Sequence, residues 1–112
     1  MHLILPYPPS SNSLWVRTRR GMRRSDDYLA WIEQVQWESI QRKWPQIDGP
    51  FGCHITAHRP DKRKRDINNL IDAPLDALQH CGVIENDCLA QWVRAEWADA
   101  QTEVPIISVT LK

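Results

Sequence analysis

A chain of 112 residues and 13.1 kDa makes one domain, which hides roughly 65% of its unfolded surface on folding. Hydrophobic residues at 42% and charged residues at 25% are ordinary globular proportions and exclude an intrinsically disordered chain. The net charge is zero, but residues 1–65 hold 12 Lys/Arg against 6 Asp/Glu, and residues 66–112 hold 2 against 8, so a basic half precedes an acidic half. Positive surface draws polyanions and grouped carboxylates draw divalent cations. Nucleases use both. The longest apolar runs, four or five residues, are too short to span a membrane, and Pro6 breaks the opening segment too early for a secretory signal. Cys53, Cys81 and Cys88 cannot all pair and show no Cys-x-x-Cys spacing, which places the chain in a reduced, cytoplasmic interior.

His2–Leu5 reads as a short strand, ended by Pro6-Tyr7-Pro8-Pro9, whose prolines remove ladder donors and stiffen the loop that follows. Arg17, Arg19, Arg20, Arg23 and Arg24 surround Gly21 with few apolar residues between them, and the expectation for about 16–25 is an exposed, mobile basic loop. Ser25 or Asp26 caps a helix running to about Trp44, with Tyr28, Trp31, Ile32 and Val35 on one face. Trp37 and Trp44 fall well round the cylinder and suggest a second contact surface. Phe51, Cys53, Ile55 and Ala57 alternate with polar or small residues, the mark of a half-buried strand.

A second helix ends near Cys81, stopped by Gly82. Pro74 either kinks it or marks its true start near Ala73, with Asp72 as cap. Strands at Leu89–Trp97 and Val104–Leu111 close the chain. The expected fold is α+β: a mixed four-stranded sheet with two helices packed on it, in the order β-α-β-α-β-β, all within one domain at 1–112.

The residues with most chemistry are Arg63-Lys64-Arg65-Asp66-Ile67-Asn68-Asn69-Leu70-Ile71-Asp72, followed by Asp76 and by Glu85-Asn86-Asp87. Two carboxylates 4 Å apart repel by roughly 4 kcal/mol at an effective dielectric near 20, so a fold that gathers several needs a cation or a proton among them. Hard oxygen donors select Mg2+, with Mn2+ as a substitute. Such an ion beside a basic, phosphate-holding segment is the equipment of phosphodiester hydrolysis. The competing reading makes Asp66 or Asp72 a helix cap and the rest solvated surface. Asp87 lies just past the far end of the second helix, so the next strand must bring it back if it is to join the others. His54, His58, His80, Cys81 and Cys88 match no usual zinc spacing. No Gly-rich phosphate loop is present, so no nucleotide cofactor is expected. Trp15 either stacks on an unpaired base or packs on the Pro-rich loop.

Three segments, Leu5-Pro6-Tyr7-Pro8-Pro9-Ser10-Ser11-Asn12, Arg59 to Leu70, and Leu75-Asp76-Ala77-Leu78 through Asp87, resemble in order the RusA-type Holliday-junction endonucleases. The resemblance implies a homodimeric, Mg2+-dependent enzyme that binds four-way DNA junctions and nicks two opposing strands during recombination and repair. It matches Asp66 and Asp87 to acidic metal-site positions, with Asn68 as a third ligand, Asn69 to a motif asparagine, and Lys62, Arg63, Lys64 and Arg65 to the basic segment. Asn12, in the opening motif, joins these and the arginines Arg17, Arg19, Arg20, Arg23 and Arg24 as DNA-binding positions. Two departures stand out. The pattern Asp-x-Asp-Asn has Asn68 at its second acidic position, and a lysine two residues before Pro74 is replaced by Asp72. If one helix turn spans both, Asn68 and Asp72 share a face, and Asp72 takes up the missing carboxylate's catalytic place. The alternative outcome of the same departures is a junction-binding homologue that cuts weakly or not at all.

Overall fold

The computed structural model describes residues 1–9, 14–58, 67–98 and 106–112, apart from the side chains of residues 69, 106 and 107. Along the chain come β1 (His2–Pro6), β2 (Trp15–Thr18), β3 (Gly21–Arg24), α1 (Asp26–Gln41), β4 (Phe51–Ala57), α2 (Asn69–His80), β5 (Ala90–Trp97) and β6 (Ile106–Leu111). The four-stranded sheet has the order β1-β6-β4-β5. β6 runs antiparallel to both β1 and β4, while β4 and β5 are parallel. Parallel neighbours need a long crossover, which α2 supplies. The expected α+β architecture with a mixed sheet and two helices is the one observed.

One sheet face is built from Leu3, Leu5, Cys53, Ile55, Ala57, Val109 and Leu111, all buried, as period-two alternation requires. Tyr28, Trp31, Ile32 and Val35 of α1, with Leu70, Ala73, Leu75, Ala77 and Leu78 of α2, cover it in a single core. The Trp31 indole N–H donates to the Pro6 carbonyl at 3.0 Å and ties α1 to the end of β1. Burial pushes the Cys53 thiol up to about 11, so it stays protonated and acts as a small core residue. Among the described residues no helix is long and apolar enough to cross a membrane.

Three boundaries differ from the sequence reading. The basic segment expected as a loop is a hairpin, β2 against β3, with Thr18 paired to Gly21 across a two-residue turn. The Thr18 hydroxyl donates to the Gly21 carbonyl at 2.8 Å and accepts from the Arg20 N–H at 3.2 Å, and Gly21 takes a φ of +114° that closes the bend. The element order therefore becomes β-β-β-α-β-α-β-β.

α1 stops at Gln41 rather than near Trp44. Lys43 adopts a left-handed φ of +52°, and the Trp44 N–H turns back to the Ser39 carbonyl at 3.0 Å, closing the helix and laying Trp44 against the core.

α2 starts at Asn69 and runs through Pro74, so Asp72 is a residue of its first turn and not its cap. Pro74 forfeits one helix hydrogen bond, but its ring is fully buried, and the apolar contacts of α2 hold the helix across it.

Candidate nucleic-acid and metal site

The basic hairpin leads directly into α1. Leu14, buried, accepts the Ser25 N–H at 2.8 Å, and the Ser25 hydroxyl caps α1 by accepting the Tyr28 N–H at 3.0 Å. Arg17, Arg19 and Arg20 stand exposed on the hairpin, and among the described residues no ion pair engages them. Arg23 is half-exposed, 3.4 Å from Asp26. These four keep their charge directed to solvent.

Arg24 does not. Its Nε donates to Asp76 Oδ2 at 3.0 Å and its Nη2 to Asp76 Oδ1 at 2.8 Å, a bidentate pair. The Tyr28 hydroxyl donates to Asp76 Oδ2 at 2.7 Å. The Arg24 guanidinium also lies 5.6 Å from the centre of the Trp15 ring, whose edge meets Tyr28. Partial burial pulls the Asp76 carboxyl upward, but the hydrogen bonds from Arg24 and Tyr28 and the guanidinium charge outweigh it and hold the group below the ordinary carboxylate range. The hydrogen bond to Asp76 raises Arg24, and burial followed by that same carboxylate raises Tyr28. Trp15, half-exposed, packs on Tyr28 and Arg24 rather than standing alone.

Asn68, the cap position of α2, and Asp72 in its first turn are both exposed at the start of that helix. The helix turn postulated from the sequence does span them: the Asp72 N–H approaches the Asn68 carbonyl at 3.4 Å. Asp87 opens the 3-10 turn Asp87–Leu89, which the Asn86 side chain caps by accepting the Cys88 N–H at 2.9 Å. The Asp87 N–H donates to Gln79 Oε1 at 3.0 Å. Gln79 is eleven residues beyond Asn68, about 16 Å of helix rise. Within one chain, Asn68 and Asp87 are thus held toward opposite ends of α2. Among the described residues, no three His, Cys, Asp or Glu side chains gather around one ion position. Asn12, Lys62, Arg63, Lys64, Arg65 and Asp66, and the Asn69 side chain, lie outside the described residues. His54, considered and set aside for zinc, bonds Glu96 at 2.6 Å across β4 and β5.

Sequence reasoning missed the Arg24–Asp76–Tyr28 cluster. Asp76 lies 52 residues from Arg24 and 48 from Tyr28, and in the sequence it reads as one more carboxylate on the polar side of α2 with Asp72, so no local pattern signals the cluster.

The family model for the endodeoxyribonuclease RusA matches residues 6–112. The chain is 31% identical over 91 residues to the crossover junction endodeoxyribonuclease of Enterobacteria phage HK97, covering 75% of this chain and 71% of that protein. It is 34% identical over 83 residues to the protein of the same name from Enterobacteria phage 82, covering 72% and 68%. A third relative, from Aquifex aeolicus, is 32% identical over 87 residues, covering 76% and 68%. A match over all but the first five residues, together with these relatives, means that the chain belongs to the RusA family of crossover junction endodeoxyribonucleases.

Proposed function

We propose that this protein is a Mg2+-dependent endonuclease that resolves four-way DNA junctions by paired, symmetric nicks. The observation that carries the reading is the arginine hairpin, which presents Arg17, Arg19, Arg20 and Arg23 to solvent on an element anchored to α2, the helix whose cap position is Asn68. These arginines, with Lys62, Arg63, Lys64, Arg65, Asn12 and Asn69, grip the phosphate backbone. Asp66, with Asp87 brought by a second copy, gives the acidic ligands, Asn68 adds a neutral oxygen, and Asp72 returns a carboxylate to the helix face that Asn68 leaves uncharged. These residues would hold a hard divalent ion, which when bound would supply an activated water and charge stabilisation at the phosphoryl group.

Two symmetric cuts call for two identical sites on a two-fold dimer. The separation of Asn68 from Asp87 along α2 favours the same conclusion, because a second copy offers a second Asp87. Trp37 and Ile40, 59% and 65% exposed on the outer side of α1, supply the apolar contact. Trp44, packed against the core, is less available. Ile40→Glu is expected to convert a dimer into a folded monomer, read by sedimentation. An unchanged dimer would move the interface off α1.

The deciding experiment incubates the protein with a labelled four-way junction and a plain duplex, in Mg2+, in Mn2+ and in chelator. Symmetric nicks in the junction alone, and only with metal, are the expected result. Affinity should fall by about 0.9 log units per tenfold salt for each phosphate neutralised. A junction-specific complex that is never nicked would instead make the protein a binder, the outcome that the substitutions at Asn68 and Asp72 favour. Equal, salt-insensitive binding to duplex would sink both readings.

A further inference from the structure

Arg24 ends β3, Tyr28 lies in the first turns of α1, and Asp76 sits in the middle of α2. Two consecutive elements, β3 and α1, therefore meet the distant α2 on one carboxylate. Both Asp76 oxygens are used, Oδ1 by Arg24 and Oδ2 by Arg24 and Tyr28 together. A bidentate guanidinium fixes direction as well as distance, which a lysine in the same place would not. The Arg24 guanidinium also lies over the Trp15 ring, 5.6 Å from its centre, which links β2 to the same point.

Asp76 is also four residues beyond Asp72 and eight beyond Asn68, so all three follow one face of α2. The residue that anchors the hairpin and the residues proposed to serve the metal share a rigid helix. The hairpin's turn lies about 13 Å of strand from its anchor at Arg24. A small rotation at the anchor is magnified at Arg19 and Arg20.

We propose that Asp76 is a positioning residue for junction cleavage. By clasping Arg24 and accepting the Tyr28 hydroxyl, it sets the basic hairpin at a fixed angle to α2, so that a phosphate held by the hairpin arrives in register with the start of that helix. The inference rests on the nuclease reading above and adds a residue that touches neither DNA nor metal. A misplacement of 1 Å at the reacting phosphate costs up to about a hundredfold in rate. A clasp that prevented it would act on the rate of the bound complex more than on the affinity.

Asp76→Asn, Arg24→Lys and Tyr28→Phe test this with three measurements: thermal melting, hydrogen exchange of the hairpin amides without DNA, and single-turnover nicking of a saturated junction. The expected result for Asp76→Asn and Arg24→Lys is faster exchange at residues 15–24. Nicking should slow roughly tenfold at saturation, with the salt slope of binding unchanged and melting well above the assay temperature. Tyr28→Phe, which keeps the bidentate pair, should fall between these and the parent. Combining Arg24→Lys with Asp76→Asn should cost little more than either change alone. Unchanged nicking at saturation in folded Asp76→Asn protein would overturn the proposal and leave the clasp a matter of stability. So would unchanged exchange in the hairpin. A parent protein that neither binds nor nicks junctions would instead overturn the nuclease reading, and with it the delivery role. The exchange measurement would still show whether the clasp orders the hairpin.

Discussion

Asp87→Asn is expected to lower metal-dependent nicking of a four-way junction by at least about a hundredfold while leaving junction binding within a few-fold. The backbone around Asp87 is held by other residues, through the Gln79 side chain and the Asn86 cap, so the carboxylate is not needed for the turn. Its side chain is exposed. Asparagine keeps the size and loses the charge, and the melting temperature should move by no more than a degree or two. A metal ion contributes several kcal/mol of transition-state stabilisation, and each 1.36 kcal/mol is tenfold in rate. Loss of the anionic ligand proposed at Asp87, where the proposed site already has neutral Asn68, therefore reaches the stated range. Single-turnover gel assays across a Mg2+ titration measure it, and excess metal should recover part of the rate. Asp72→Ala in the same assay separates a ligand from a bystander: nicking as fast as the parent's removes Asp72 from the site. Full activity in Asp87→Asn would remove the turn before β5 from the chemistry altogether.

Leu78→Ala should be the most damaging single truncation for stability. Leu78 is 0% exposed, within the core between α2 and the sheet, and its carbonyl accepts the Val83 N–H at 3.0 Å, so the helix and the turn after Gly82 close around it. The buried cluster it belongs to draws on the sheet, both helices and the turn at Ile84, and so cannot collapse as a unit into the gap. Removing the side chain costs about 3 kcal/mol, which in a domain of this size lowers the melting temperature by roughly 12 °C. Urea titration and calorimetry check it. Glu33→Ala, on the exposed side of α1, is the control and should change stability by about 0.5 kcal/mol or less. A fall under 3 °C for Leu78→Ala would mean that α2 is not packed as described.

The parts of the fold legible in the sequence are those with a buried face. Phe51 to Ala57 alternates because one side of β4 meets the helices, and Tyr28, Trp31, Ile32 and Val35 repeat because one side of α1 meets the sheet. The hairpin was not legible for the converse reason. A two-stranded sheet whose residues are nearly all exposed has no apolar period, and its local signals are Thr18 and Gly21 at the turn. Pro74 left two outcomes open, a helix running through it or a later start near Ala73, because propensity is local, whereas the burial that carries the helix through it is set by the whole core. The same limit applies at the site. Asp87 and the acidic start of α2 stand out as residue types, and their spacing already puts them at opposite ends of the helix, but it does not tell whether the next strand brings Asp87 back. Nor does any pattern near Arg24 announce that one arginine of five is committed to a carboxylate on another element.

The last strand in the chain is not at an edge of the sheet. β6 lies between β1 and β4, and the amino group of Met1 donates to the carbonyl of Leu111 at 3.1 Å. A growing polypeptide therefore cannot complete its sheet before β6 emerges: until the residues after Ile106 are out, β1 has no neighbouring strand and β4 is paired on one side only. A product that ended early would lose the middle of its structure rather than a margin, and quality-control proteases would meet an open chain instead of a trimmed domain.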